Sequence, residues 1–197
     1  MTTVAVLPIK RFSHAKQRLE RDDRGELMRT MASGVLDAVC GAVQVNRVLV
    51  VTSDLDAGVL ARRAGAEVVH EPGLLGHSAA ASLGVARAVE LGALRVLLVA
   101  GDCPLMQSAD VDALLTAFPV DAPGVVVLAD RHGTGTNGLL LSPPAAIAPA
   151  FGPGSRERHA ALAADAGVPC VVEERTVFAH DVDTLDDLAA IERTRAA

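Results

Sequence analysis

The chain has 197 residues, half of them apolar, and 24 acidic against 18 basic side chains give a formal net charge of −6. That length can bury the core of one domain, and dispersed, net acidic charge argues against a nucleic-acid surface, which needs a concentrated basic face. Three separated cysteines without CxxC spacing imply reduced thiols in a cytoplasmic protein, and no apolar run is long enough for a membrane span.

Residues 3–9, TVAVLPI, form a continuous apolar run, the pattern of a strand buried on both faces. Helical spacing of Leu27, Met31, Val35, Leu36 and Val39 predicts a helix over 24–43. A second buried strand is expected at 47–53, followed by a helix that Ser53 to Asp56 would open as a capping box. Strand 66–71, helix 78–91 and strand 95–102 follow, then a helix capped by Ser108 and running to about residue 118. Further strands are expected at 124–130, 138–143 and 168–174. Helices are expected at 155–166 and 184–195, the latter opened by the capping box Thr184 to Asp187.

Strands alternating with helices of ten or more residues imply βαβ units. The expected architecture is a single α/β domain over residues 1–197, with a mostly parallel sheet flanked by helices. Ligands of such sheets bind at the carboxyl ends of strands, here just after residues 9, 53, 71, 102, 130 and 180.

Lys10 and Lys16 are the two lysines of the chain, and both lie in the segment after the first strand, together with Arg11 and Arg18. Lysine is a compact charge that can follow a mobile phosphate, so this loop suits a triphosphate; a solvated basic loop is the alternative. Asp102 ends the fourth strand, where a buried carboxylate needs a partner such as a divalent cation, unless it caps the next turn. Asp181 and Asp183 alternate before the last helix, so an extended backbone would present them on one side. The loop in DRHGTGTNGLLL offers glycines and hydroxyls that could cradle an anion, or else is a hairpin. Gly152, Gly154 and Ser155 open a helix with Arg156, Arg158 and His159 in its first turn; cations there suggest a bound anion. His77 and Ser78 precede a helix and are placed to touch a ligand.

PIKRFSHAKQRL, GDCPL, DRHGTGTNGLLL, FGPGSRERH and DVDT, in that order, resemble the guanylyltransferases of coenzyme F-420 biosynthesis that act on 2-phospho-L-lactate or phosphoenolpyruvate. The resemblance implies a Rossmann-like nucleotidyltransferase domain that joins GMP from GTP to a phosphorylated three-carbon acid and releases pyrophosphate. It also implies Mg²⁺ on Asp102, Asp181 and Asp183, and GTP phosphates on Lys10, Lys16 and Arg18, with Ser78 beside the nucleotide. Lys10, Lys16 and Asp102 would be the catalytic set, and Thr136, Gly152 and Ser155 would hold the acid. Many members carry an Asn near residue 78, where this chain reads GHSAAAS. A homodimer and a hand-off to the next F-420 enzyme are further expectations. Other readings are another nucleotide or acceptor, such as a sugar phosphate or 3-phosphoglycerate, and a non-catalytic nucleotide-binding regulator.

Overall fold

The computed structural model describes residues 2–10, 12, 24–73, 76–174, 177–182, 184, 186, 187 and 189. Seven strands, β1 (Thr3–Pro8), β2 (Arg47–Thr52), β3 (Glu67–His70), β4 (Arg95–Val99), β5 (Gly124–Ala129), β6 (Thr136–Ser142) and β7 (Cys170–Glu173), form one sheet. Its order is β3-β2-β1-β4-β6-β5-β7. β6 pairs antiparallel with β4 and β5, and the other pairings are parallel. The helices are α1 (Arg24–Gly41), α2 (Leu55–Arg63), α3 (His77–Glu90), α4 (Ser108–Ala117) and α5 (Ser155–Asp165).

The pleat explains why the central strands are apolar throughout. In β1, Ala5 and Leu7 join one core with Leu36 of α1 and Leu115 of α4, while Val4 and Val6 join a second core with Ala81 and Val85 of α3. Successive side chains therefore meet a helical layer on both faces. Gly84 sets how closely α3 approaches the sheet: a Cβ there would collide with Val6 Cγ1 and come within 2.9 Å of Val51 Cγ2.

After β1 the chain moves outward through β2 and β3, then returns to place β4 on the other side of β1. The crevice between the ends of β1 and β4 is thus the topological switch point, where open α/β sheets bind ligands.

Several boundaries differ from the expectations. Asp54, not Ser53, caps α2, accepting from the amides of Asp56 at 2.8 Å and Ala57 at 3.1 Å. Ser53 Oγ is buried and has no hydrogen-bond partner among the described residues. Gln107, not Ser108, caps α4, because Asp110 returns a bond to the Gln107 amide at 2.9 Å. β6 starts at Thr136, two residues before the apolar run, and so brings polar residues to the sheet's ligand end. Thr184 and Asp187 do form the reciprocal box, with Asp187 also paired to Arg131. Most of the last helix expected beyond them falls outside the described residues.

Candidate active site

A cleft of about 560 Å³ opens at the switch point. It is lined from β1 by Pro8, Ile9 and Lys10, from β4 by Ala100, Gly101 and Asp102, and from β6 by Thr136 and Asn137. His77, Ser78, Phe151, Gly152 and Asp181 complete much of its wall.

Lys10 is aimed by its neighbours. Ile9 and Phe12 are buried, the Ile9 amide donates to Val51 O at 2.9 Å, and the Phe12 amide donates to Asp54 Oδ2 at 3.0 Å. The same Asp54 carboxylate caps α2, so one side chain ties the start of the basic loop to the end of β2. Among the described residues here, Ile9 and Phe12 are buried and Lys10 is exposed. Lys16 and Arg18 lie outside the described residues, as does Asp183.

Asp102 and Asp181 come from distant parts of the chain to one cleft. The segment after β7 is held over the ends of β4 and β6 by bonds that include Cys103 Sγ to Phe178 O at 3.3 Å, Asn137 Nδ2 to Phe178 O at 3.0 Å, and Val182 N to Asp102 O at 3.2 Å. Asn137 Nδ2 also donates to Asp181 Oδ1 at 3.1 Å. Two carboxylates facing phosphate-sized space make the all-oxygen donor set a hard divalent cation takes, with waters and ligand oxygens completing it. Among the described residues no three His, Cys, Asp or Glu side chains gather to hold a metal unaided.

Both helix N-termini at the cleft lack side-chain caps. α3 starts from Gly76 and α5 from Gly154, each with positive φ, and α3 has no acidic residue in its first turn. The first amides of α3 attract anions through the helix dipole, whereas at α5 the Ser155 and Arg156 amides already donate to Gly152 O and Thr134 O.

The far wall carries a buried polar cluster. Ser155 Oγ donates to Thr136 Oγ1 at 3.1 Å, and His159 Nδ1 lies 3.1 Å from the same oxygen. The Ala150 amide donates to His159 Nε2 at 2.9 Å. Thr136 and Gly152 line the cleft, while Ser155 stands behind Thr136. Burial lowers the His159 pKa to about 4, helped by Arg158, so the ring is neutral. Burial likewise lowers His77 to about 4; Lys10 adds to the shift and Asp102 opposes it. Phe151 meets both rings edge-on, at 4.7 Å from His77 and 5.2 Å from His159.

The cations at the start of α5 have a different purpose from the one expected. Arg158 donates to Ala150 O and Pro153 O, each at 2.8 Å, and Arg156 donates to Gly133 O and pairs with Glu174, also at 2.8 Å. They pin loop carbonyls and a carboxylate. The loop after β5 is a hairpin connection whose own amides are used: Gly133 N and Thr134 N both donate to Asp130. Its contribution to the cleft is Thr136 and Asn137, where β6 begins. Asn137 has no signal of its own beyond lying inside the glycine-rich motif, and His159, grouped by sequence with the cations of the α5 first turn, is instead a buried neutral ring bonded to Thr136.

The family model described as "Guanylyl transferase CofC like" matches residues 3–192. The chain belongs to the CofC-like guanylyltransferase family. It is 44% identical to the phosphoenolpyruvate guanylyltransferase of Conexibacter woesei over 97% of this chain and 87% of that one. It is 34% identical to the 2-phospho-L-lactate guanylyltransferase of Methanothermobacter thermautotrophicus, covering 97% and 84% of the two chains. Among solved structures, a nucleotidyl transferase from Methanothermobacter aligns over 100% of this chain and 99% of its own with TM-score 0.71 at 21% identity, which supports the fold. This CofC-like chain thus shares a nucleotidyltransferase architecture, and its cleft lies where that architecture binds ligands.

Proposed function

We propose that the protein transfers GMP from GTP to phosphoenolpyruvate with release of pyrophosphate, as a step of coenzyme F-420 biosynthesis. The observation that carries this reading is one cleft lined by Lys10, Asp102 and Asp181 together with Thr136 and Gly152. The first three offer charge suited to a cation-bound triphosphate, and the last two offer donors for a small anion. The 44% identity to a phosphoenolpyruvate guanylyltransferase favours that acceptor over 2-phospho-L-lactate.

In the reaction, a phosphate oxygen of the acceptor attacks the α-phosphorus of GTP in line. The bond from that phosphorus to the bridging oxygen of the β-phosphate breaks, and the oxygen leaves with pyrophosphate. The acceptor is already ionised, so no general base is needed. Lys10, with Lys16 and Arg18, neutralises the charge that grows on the leaving pyrophosphate. Uncapped α3 amides and Ser78 sit beside the nucleotide, and Thr136 and Gly152 orient the acid, with Ser155 acting through its bond to Thr136 from behind. Asp102, Asp181 and Asp183 would hold Mg²⁺, which supplies charge neutralisation and alignment of phosphate oxygens.

The test is mass spectrometry of products after incubation with Mg²⁺, each of the common NTPs, and phosphoenolpyruvate, 2-phospho-L-lactate, 3-phosphoglycerate or a sugar phosphate. A guanylylated phosphoenolpyruvate is expected. Exclusive use of another acid, or of another nucleotide, overturns that part of the reading.

A further inference from the structure

His159 lies at the back of the cleft wall with 0% of its surface exposed, so it touches no substrate. Its hydrogen bonds nonetheless determine how the wall presents itself. The Ala150 amide is a donor, so His159 Nε2 must be the acceptor and carries no hydrogen. A neutral imidazole then carries its hydrogen on Nδ1, which donates to Thr136 Oγ1 at 3.1 Å. Ser155 is 1% exposed, and among the described residues its hydroxyl has no acceptor other than Thr136 Oγ1. Both lone pairs of Thr136 Oγ1 are therefore taken, one by His159 and one by Ser155. The hydrogen of Thr136 is left to point away from both, and Thr136 lines the cleft.

We infer that His159 is a positioning residue that, through its Nδ1–H bond to Thr136, commits the Thr136 hydroxyl to donate into the cleft toward an acceptor anion. This rests on the reading of Thr136 as part of the acceptor wall. Without the relay, the hydroxyl can rotate and spend its hydrogen on Ser155 or water. With it, the donor is aligned before the acid arrives, which reduces the reorganisation required on binding. The same imidazole fixes the loop that carries Gly152, because Ala150 is held through its amide by His159 and through its carbonyl by Arg158. A wall of committed donors favours an ionised carboxylate or phosphate oxygen and disfavours a neutral hydroxyl donor from the ligand.

Two measurements test this. Long-range proton–nitrogen NMR of nucleotide-free protein, assigned with a His159→Gln variant, should show His159 protonated at Nδ1 and bare at Nε2. The opposite tautomer overturns the relay. The second compares His159→Gln with His159→Asn. Glutamine's carbonyl can still accept from Ala150 but offers Thr136 no donor, whereas asparagine's amide can replace the Nδ1 donor and loses the bond to Ala150. His159→Gln should raise the KM for phosphoenolpyruvate roughly five- to thirtyfold with the KM for GTP little changed, and His159→Asn should restore it to within about threefold. A folded His159→Gln protein with wild-type acceptor KM overturns the inference. So does a pair of variants in which both KM values simply follow the loss of Tm. A wild-type protein that uses no phospho-acid sinks the acceptor reading instead, while the tautomer, measured without substrate, still decides the relay.

Discussion

Asn137 donates to Asp181 Oδ1 at 3.1 Å across 44 residues of sequence, and the same Nδ2 donates to Phe178 O at 3.0 Å. One amide thus anchors the segment after β7 and orients the carboxylate that segment brings to the cleft. Asn137 is 8% exposed, so its partners lose a buried donor if it is removed. Asn137→Ala should lower stability by about 1–3 kcal/mol and raise the Mg²⁺ concentration needed for half-maximal turnover. Chemical denaturation and a Mg²⁺ titration of activity check both parts. Unchanged Mg²⁺ dependence would mean that Asn137 only staples the fold.

Asp102→Asn should lower turnover at least about a hundredfold while leaving the Tm unchanged or raised. The substitution keeps the shape of a side chain at the end of β4 and removes one of the two described carboxylates that share the cleft. Asparagine is nearly isosteric and leaves the backbone bond from Val182 N to Asp102 O in place. If the variant instead unfolds at markedly lower temperature, Asp102 is a structural cap and the metal assignment fails.

The strands were legible because burial on both faces leaves a simple mark, an unbroken apolar run such as RVLLV in β4. What was not legible is what such runs cannot encode. β6 extends two polar residues beyond its apolar stretch because Thr136 and Asn137 face a ligand cleft rather than a core. The caps of α2 and α4 each moved by one residue, since Asp54 and Gln107 compete with serines next to them and only the backbone path decides. Arg156 and Arg158 read as anion binders because their partners, loop carbonyls and Glu174, are neighbours in space alone. His159 reads as one more first-turn cation for the same reason: its partner Thr136 lies 23 residues away on β6 and is a neighbour in space alone.

Lys10→Ala should weaken GTP binding about ten- to a hundredfold while the fold survives, because a charge-assisted bond to phosphate contributes roughly 1.5–3 kcal/mol. The backbone of the turn is held without the ammonium, through the Ile9 and Phe12 amides, so the variant keeps its shape. The protein contains no Trp or Tyr, so ultraviolet difference spectra report bound guanine with little background. Wild-type affinity for GTP in this variant would remove Lys10 from the phosphate site.

The His159 pKa is lowered from 6.5 to about 4 by burial. Between those values the unfolded chain binds a proton that the folded chain does not, so stability rises with pH across this window. Going down in pH, stability starts to fall below about 6.5 and the loss from this group levels off below about 4, at a total on the order of 3 kcal/mol. His77, also lowered to about 4, adds a contribution of the same sign. Denaturation midpoints taken across that range should therefore drop with acid more steeply in wild type than in His159→Gln. Parallel profiles would show that His159 is not buried as a neutral ring.

Thr136→Val keeps the branched shape and removes the hydroxyl that lines the cleft. The oxygen it deletes is also the acceptor for Ser155 and His159. Two effects follow, and they can be read separately. Leaving a buried hydroxyl and an imidazole N–H without their acceptor should cost about 1–3 kcal/mol of stability. Removing a donor aimed at an ionised oxygen of the acid should raise the KM for phosphoenolpyruvate or lower turnover by about ten- to a hundredfold. GTP should bind with nearly its original affinity, since Lys10 and the start of α3 are untouched. Thr136→Ser retains the oxygen and its hydrogen, so it should recover both properties to a large extent, which separates loss of the hydroxyl from any change in packing. Steady-state kinetics with GTP saturating, paired with a denaturation curve for each variant, gives both numbers. If Thr136→Val loses stability but keeps the acceptor KM, the hydroxyl belongs to the interior of the wall and another donor meets the acid.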